Sequence, residues 1–312
     1  MNTESKTYTS SIAGFTLIEL MISLVLGLLI SAAVMQVYLV NTRTITVQQS
    51  ASEVQDSSIF AMQSIEEHLR LANLGNPIDY ITDTTDHGGI VLTQANLGAS
   101  NTTDAKFFTI DASTGPSNID GKPSDQLVIQ YKNITPHAMY DCEGEEINPG
   151  SSDWVVERYF VRDISNSKTA TTKDLALACS AGRVDTDGNI TDSFEDNGAI
   201  IVTAVDQFKI LLGVQAAVDE LTYLPPSVYL DIELPTKGQK PAITGVKLGM
   251  IVRSSTPLIT DTDADEFTLL GSEHALIDDD SRKKYYRRSY ESTVLLRSAR
   301  VMSLVATVND EP

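Results

Sequence analysis

The chain has 312 residues, a formal net charge of −19 at pH 7 and two cysteines. This length suits one large domain or two modest ones. The acidic balance argues against nucleic acid as a broad partner, because phosphates are repelled by negative charge. The four histidines are isolated, and the sequence contains no zinc-binding, nucleophile or phosphate-loop motif. It therefore predicts neither an enzyme nor a metal site, and it implies no cofactor.

An apolar segment dominates the N-terminal part of the chain. Residues 15–40 carry a single charged side chain, Glu19, and none is found from Leu20 to Thr42. At about 1.5 Å per residue, a helix of this length crosses a hydrocarbon core of about 30 Å. The segment is longer than the core of a cleaved secretory signal. A carboxylate inside a spanning helix is costly and therefore a functional candidate, while the alternative is a signal anchor with an interfacial Glu.

The helical pattern continues beyond the apolar segment. Small and apolar residues recur at spacings of three and four and predict one narrow stripe: Val47, Ala51, Val54, Ser58, Met62, Ile65, Leu69 and Ala72. Gly75, followed by Asn76 and Pro77, is a stop signal. We therefore predict one helix over residues 15–74. A coiled coil is the alternative, although the stripe is short for one.

The remaining residues are predicted to be mostly β. Residues 78–126 are rich in turn formers and indicate loops with weak strands at 89–92 and 106–110. β-Branched, aromatic and alternating residues predict stronger strands at 126–131, 154–161, 199–205, 208–214, 245–253 and 285–297. Within 245–253, Lys247 and Arg253 are expected opposite the apolar face. A long helix packed on an antiparallel, β-rich domain is an α+β fold.

The N-terminal residues carry a specific resemblance. Gly14-Phe15-Thr16-Leu17-Ile18-Glu19, between a short polar leader and an apolar helix, resembles the type III signal of type IV prepilins. The resemblance implies that a membrane peptidase cuts after Gly14 and methylates the new amine of Phe15. It also implies that Glu19 is used in assembly. The leader departs from the family in its weak charge, because Lys6 is its only basic residue.

Later blocks resemble the PilW family of minor pilins in order and spacing. These blocks are residues 60–72, 154–161, 199–213, 246–254, 286–288 and 293–297. The resemblance covers nearly the whole chain, but residues 216–226 lack the Asp/Gly-rich turn that relatives often carry. It implies a pilin-like fold divided into four parts: a leader (1–14), a transmembrane and pilus-core half-helix (15–42), an amphipathic half-helix (43–76) and a periplasmic β-rich domain (77–312).

The resemblance also implies a role and a location. The role is that of a minor pilin in a tip or priming complex that starts type IV pilus assembly. The location is the inner membrane, with the N-terminus cytoplasmic. Implied partners are other minor pilins, the major pilin, the prepilin peptidase, and the assembly platform with its ATPase motor. A type II secretion pseudopilin and a tip adhesin or DNA-uptake receptor remain open as alternatives.

Both cysteines, Cys142 and Cys179, follow the membrane segment. On an exported domain they face an oxidising compartment, so we predict one disulfide between them. Two buried free thiols are the alternative. The PilW family also often has a pair of cysteines at these places.

Three charged segments have open interpretations. Residues 185–192 could offer oxygens to Ca²⁺, but Ile190 stands where the EF-hand spacing needs glycine, so a solvated turn is favoured. Residues 261–266 are interpreted in the same way. The third segment is a basic spot of Lys283, Lys284, Arg287 and Arg288. It predicts either a charged strand edge that discourages aggregation or a docking patch for an acidic subunit.

Overall fold

The computed structural model describes residues 14–98, 102–165, 171–195, 197–217, 220–233, 240–258, 264–278 and 284–299. The chain divides into two compact units, Met1–Gln49 and Ser50–Pro312. Nearly all of the leader, residues 1–13, lies outside the described residues, as do 261–263 of the second acidic segment and Lys283 of the basic spot.

The first unit contains the N-terminal part of helix α1, Leu17–Leu69. Every residue from 14 to 41 is exposed in this unit, apolar side chains included. By length and composition, α1 is a helix that can cross a membrane. Its apolar residues cover all sides rather than one stripe, as expected of a helix that meets lipid or other helices.

Residues 50–69 of α1 belong to the second unit and pack on its core. The predicted stripe is buried from Val54 onward, whereas Val47 and Ala51 are only half-buried. Buried positions on this part of the helix are Ser50, Val54, Ser58, Ala61, Met62, Ile65 and Leu69. Their spacing of three and four residues places them along one face, so the predicted amphipathic pattern is confirmed for this stretch.

Helix α1 ends five residues earlier than predicted. After Leu69 the hydrogen bonds tighten to a three-residue spacing, from Leu71 N–H to the His68 carbonyl at 2.9 Å and from Ala72 to Leu69 at 3.2 Å. Asn73 then adopts a left-handed conformation with φ 68°. Its N–H donates to the Gln130 carbonyl at 2.9 Å, so the chain leaves the helix to bond with the sheet. The helix therefore ends before the glycine that the sequence indicated.

Two further short helices are α2, Gln94–Leu97, and α3, Pro226–Leu230, with one 3₁₀ turn at Ala105–Phe107. The strands in chain order are β1 (Ile110–Gly115), β2 (Ser124–Tyr131), β3 (Met139–Tyr140), β4 (Glu146–Ile147), β5 (Trp154–Asp163), β6 (Leu175–Val184), β7 (Ile190–Asp192), β8 (Ala199–Thr203), β9 (Val205–Ala217), β10 (Glu220–Leu224), β11 (Ala242–Arg253), β12 (Glu266–Leu269), β13 (Ser272–Ala275) and β14 (Arg287–Leu295).

These strands form two principal antiparallel sheets. The first has the order β1-β2-β5-β6-β7, with β8 also paired to β6, and the second has the order β10-β9-β11-β14. Two hairpins, β3–β4 and β12–β13, stand beside them. The predicted α+β class is confirmed, and all six strong strand predictions overlap observed strands. The sequence pattern did not predict the division into two sheets.

Strand β6 was not predicted. It lies inside the first sheet between β5 and β8, and all its residues except Arg183 are buried. Its sequence, LALACSAGRV, is rich in small residues that have low β propensity on their own. This segment is a strand because it is buried between β5 and β8, and not because its residues favour strands on their own. Of the two weak strands, 89–92 contributes only an isolated bridge from Ile90 to Ile129.

One core lies between α1 and the two sheets. It includes Ile65 of the helix, Tyr159 of the first sheet and Leu248 of the second. A smaller cluster around Val156, Phe107 and Phe194 covers the opposite face of the first sheet. The β12–β13 hairpin covers the opposite face of the second sheet through Leu269. The helix thus packs against a core shared by two sheets rather than against the face of one.

Candidate processing and assembly site

Gly14, Phe15 and Thr16 precede the first turn of α1. A side chain at Gly14 would meet no other atom within 4 Å, and Phe15 is 88% exposed. The bond between Gly14 and Phe15 is therefore open to an enzyme on this surface. The structure supplies no internal packing reason for a glycine at position 14.

Thr16 and Glu19 form a reciprocal cap on the start of α1. Glu19 Oε2 accepts hydrogen bonds from the Thr16 N–H and from Thr16 Oγ1, each at 2.9 Å. The Glu19 N–H donates in turn to Thr16 Oγ1 at 3.3 Å. This is a capping box, which satisfies N–H groups that the first helical turn leaves without partners. It also holds the carboxylate where the helix dipole favours negative charge.

The sequence motif assigned Glu19 to assembly, but its capping role was not predicted. The signal was present, because Thr16-Leu17-Ile18-Glu19 has the threonine-to-glutamate spacing of a capping box. The two roles do not exclude each other. The Glu19 carboxylate is hydrogen-bonded to Thr16, but it can still accept a hydrogen bond from another group.

The two cysteines lie in the second unit, away in sequence from the N-terminal site. Cys142, in the turn between β3 and β4, is joined to Cys179 of β6 by a disulfide with Cα atoms 6.3 Å apart. The same turn is held to β6 by an ion pair of 2.5 Å from Arg183 Nη2 to Asp141 Oδ2. The disulfide is thus one of several ties between this turn and the first sheet.

Glu157 of β5 joins this turn to the end of α1. Its side chain is fully buried, and Oε1 accepts from the Tyr131 hydroxyl at 2.8 Å and from the Cys142 N–H at 2.9 Å. His68 Nδ1, in the last turn of α1, lies 3.0 Å from the same oxygen. The Tyr159 hydroxyl donates to Oε2 at 2.8 Å. Four donors from four elements therefore converge on one carboxylate.

The surroundings change the acidity of these donors. Burial by itself lowers the pKa of His68, but the hydrogen bond and negative charge of Glu157 outweigh it and raise the pKa above its ordinary value. Burial, followed by the charge of Glu157, raises the pKa of Tyr131 and of Tyr159. Both phenols therefore remain protonated donors, and His68 is the donor whose charge can change near neutral pH.

The basic spot requires a correction. The Arg287 side chain is fully buried, and its Nε donates to Asp206 Oδ2 at 2.6 Å. Asp206 Oδ1 accepts from Asn118 Nδ2 at 2.7 Å and lies 3.3 Å from Arg253 Nε. Arg287 is therefore part of an internal ion network between β9, β11 and β14 and not of a surface patch. Arg253 lies opposite the apolar face, as predicted, but it is buried and ion-paired.

The acidic turn between β6 and β7 is organised by its own hydrogen bonds. Asp185 Oδ1 accepts from the N–H groups of Asp187 and Asn189, at 2.9 and 2.8 Å. Asn189 Nδ2 donates to Asp185 Oδ2 at 2.9 Å, and these bonds to Asn189 lower the pKa of Asp185. Both carboxylate oxygens of Asp185 thus accept hydrogen bonds within the turn. In the described ranges, no three His, Cys, Asp or Glu side chains are grouped so that they could hold a metal ion.

Comparison with known families matches two parts of the chain. Residues 9–35 match the prokaryotic N-terminal methylation motif, and residues 158–298 match the family described as Type IV Pilus-assembly protein W. The chain thus combines a prepilin motif with a segment similar to the PilW family of type IV pilins. Its prepilin motif and its apolar helix indicate membrane anchoring and incorporation into a pilus.

The PilW match runs from β5 to the end of β14 and includes Cys179, Asp206 and Arg287. Among solved structures, a type IV-like pilin from Thermus thermophilus aligns with a TM-score of 0.40 and 11% identity, over 79% of this chain and 98% of that chain. No curated protein matches the chain.

Proposed function

We propose that this PilW-family chain is a minor pilin that is cut after Gly14, methylated at Phe15 and used to start type IV pilus assembly, in a tip or priming complex. The observation that carries the proposal is the prepilin motif at the start of a long apolar helix, with every residue from 14 to 41 exposed. Such a surface suits lipid before assembly and neighbouring helices after it.

In this proposal, residues 15–42 span the inner membrane with the N-terminus in the cytoplasm and residues 77–312 in the periplasm. Lipid tails and a helix bundle are about equally apolar, so hydrophobicity provides little drive for leaving the membrane. Extraction therefore needs outside energy, which we assign to the ATPase motor acting through the assembly platform. Register comes from close helix packing and from pairing of Glu19 with the amine of a neighbouring pilin.

The experiment that tests the proposal is deletion of the gene, followed by complementation with the wild-type chain. The expected result is loss of surface pili, restored by the complementing chain, with normal secretion of enzymes by the type II system. Lost secretion with normal pili would instead support a pseudopilin. Normal pili with lost adhesion or DNA uptake would support a tip-binding module and would overturn the role in starting assembly.

A further inference from the structure

Strand β14 forms a long free edge of the second sheet. It has nine residues, and among the described strands it pairs only with β11. The β14–β11 register is continuous, whereas the other pairings in this sheet contain a shift. Natural sheets often protect an edge with a short strand, a bulge or a proline, because its unpaired N–H and C=O groups can pair with another chain. β14 has none of these three features.

Two hydrogen bonds show which backbone groups of β14 point outward. The Leu296 N–H donates to the Thr244 carbonyl at 2.9 Å, and the Ser254 N–H donates to the Tyr286 carbonyl at 2.8 Å. Both bonds join directly opposite residues and continue the β14–β11 register by one residue at either end. Opposite residues in an antiparallel ladder alternate between hydrogen-bonded and non-hydrogen-bonded pairs. The even-numbered residues therefore bond to β11, while the odd-numbered residues of 289–295 turn their N–H and C=O groups to the free edge.

Apolar side chains are exposed on both faces beside this edge. Leu295 of β14 is 58% exposed, and Ile59 of α1 is 43% exposed. Ile59 precedes Glu66 by about two helical turns and so lies on the same side of the helix. Glu66 accepts a hydrogen bond from Ser292 Oγ, so this side of α1 lies along β14. A further strand next to β14 would cover apolar surface on each of its two faces.

The residues that follow β14 supply a segment suited to this edge. Residues 296–299 form a turn in which the Ala299 N–H donates to the Leu296 carbonyl at 3.3 Å, and such a turn reverses the chain. Residues 300–312 lie outside the described residues, and 301–308 have the sequence VMSLVATV. This stretch has no charge, glycine or proline and is rich in β-branched residues, so it predicts a strand. An exposed stretch of this kind and an open edge each promote aggregation, and pairing one with the other removes both.

We propose that residues 300–308 fold back on β14 and form a fifth strand of the second sheet. With 296–299 as a four-residue loop, residue 300 stands opposite Leu295 and residue 308 stands opposite Arg287, so nine residues face nine. The first pair then uses the N–H and C=O groups of Leu295, which point to the free edge. Whatever the role of the chain in assembly, this strand keeps β14 from pairing with other polypeptides.

The same register matches charges at the other end of β14. Asp310 and Glu311 follow the apolar stretch, and the fold-back brings them beside Lys284 and Arg288. Arg288 is exposed and Lys284 is half-buried, so these two members of the basic spot reach the surface. Exposed ion pairs contribute little stability, and these charges therefore favour the antiparallel direction of the strand more than they hold it in place.

Disulfide trapping in the full-length chain tests the pairing. Ser292 and Ser303 would form a non-hydrogen-bonded pair, in which Cα atoms lie about 4.5 Å apart and a disulfide can form. The Ser292→Cys/Ser303→Cys variant, oxidised in detergent micelles, should contain this bond within one chain, as shown by mass spectrometry of its peptides. The matched control is Ser292→Cys/Leu304→Cys, because a shift of one residue turns the second side chain to the other face of the sheet.

A second measurement, amide hydrogen exchange by NMR, uses the wild-type chain. Tyr290 and Ser292 bond to β11 and should be protected in any case. Glu291 and Thr293 should be protected equally if the added strand is present, whereas on a free edge their amides should exchange at least about tenfold faster. Removal of residues 300–312 should abolish the protection of Glu291 and Thr293 and leave that of Tyr290 and Ser292 unchanged.

The outcomes decide between the partners of this edge. A bond within one chain, absent from the Leu304→Cys control, supports the fold-back. A bond between two chains would assign the segment to a second copy and would overturn it, as would equal yields in the variant and the control. If the cysteine variants fail to fold, fast exchange of Glu291 and Thr293 in the wild-type chain overturns the proposal, and protection that depends on residues 300–312 supports it.

Discussion

Glu19 is a side chain with one observed role and one proposed role. Its carboxylate accepts two hydrogen bonds from Thr16 and caps α1, and we propose that it also pairs with the amine of a neighbouring pilin. Capping contributes about 0.5–2 kcal/mol, whereas loss of one partner from a desolvated ion pair costs about 3–5 kcal/mol. The two roles therefore differ enough in size to be separated by mutation.

The first prediction separates them with a matched pair of variants. Glu19→Ala should insert in the membrane and be cut after Gly14, yet it should reduce surface pili by about tenfold or more, because the amine loses its partner. Thr16→Val keeps the carboxylate, removes the capping hydroxyl and should retain most pili. Pili are counted in the complemented deletion strain, with equal membrane protein shown by immunoblot. Wild-type numbers of pili in Glu19→Ala would contradict the assembly role of Glu19. An equal loss of pili in both variants would mean that Glu19 acts only by capping α1.

The second prediction concerns His68, whose Nδ1 lies 3.0 Å from buried Glu157. Its folded pKa is raised above the unfolded value of about 6.5, so protonation favours the folded state. The stabilising contribution is complete below about pH 6.5 and is lost as pH rises through the folded pKa. The titratable groups around the ring include Glu157, Glu67 and Asp141.

His68→Gln keeps a donor without the charge, so it isolates this effect. The wild-type chain should exceed the variant in free energy of unfolding at pH 5.5, and the difference should shrink by pH 9. Urea unfolding of the disulfide-bonded chain at each pH gives the measurement. If the difference in free energy of unfolding stays constant from pH 5.5 to pH 9, the His68 ring is neutral when it bonds to Glu157, and the prediction is wrong.

At the level of elements, the β3–β4 turn, β6 and the end of α1 depend on one another. The disulfide joins Cys142 to β6. The Cys142 N–H donates a hydrogen bond to the buried Glu157 carboxylate, and the His68 ring at the end of α1 contacts the same carboxylate. Asn73 completes the junction: its side-chain amide donates to the carbonyls of Ile78 and Ser298, at 2.9 and 3.0 Å. The end of α1 is thus fixed by contacts from distant parts of the chain.

The third prediction is that removal of the disulfide loosens this junction. Cys142 and Cys179 are separated by 37 residues. In the loop-entropy account, closing such a loop stabilises by about 3–4 kcal/mol, less any strain. The Cys142→Ser/Cys179→Ser double variant should lose about that much unfolding free energy. Intact-mass analysis with a thiol reagent checks the premise, since two reactive thiols in periplasmic wild-type protein would exclude the bond.

Over the whole molecule, an exposed apolar helix segment is joined in sequence to an acidic β-rich domain. The chain's net charge of −19 favours solubility, while the exposed apolar residues of 14–41 require lipid or other helices around them. In the proposed function, removal of the leader gives a chain whose new amine, at Phe15, lies one helical turn from Glu19. On that proposal, processing controls whether the chain can take part in assembly.

The fourth prediction follows from that step. Wild-type chain from piliated cells should begin at methylated Phe15, and Gly14→Glu should keep its leader, because a large side chain at the cut bond obstructs the peptidase. Position 14 has open space around it in the structure, so the substitution should not disturb the fold. Mass spectrometry of the N-terminal peptide decides the matter, and an intact leader on wild-type protein would contradict it.

Local patterns alone predict much of this protein. The apolar helix, its buried stripe from Val54 onward, the six strong strands and the α+β class all follow from periodicity, because those signals act over neighbouring residues. The prepilin motif indicates the pilin superfamily from six consecutive residues, Gly14 to Glu19. The capping box of Thr16 and Glu19 is also readable from the sequence, since it spans four residues.

The tertiary structure decided everything that depends on partners far along the chain. β6 is a strand because two neighbours bury its small residues, and Asn73 ends α1 because Gln130 accepts its N–H. Arg287, predicted to lie in a surface patch, is buried because Asp206 lies 81 residues away in sequence but 2.6 Å away in space. A buried charge needs a partner, and which residue supplies it is a property of the fold and not of the local sequence.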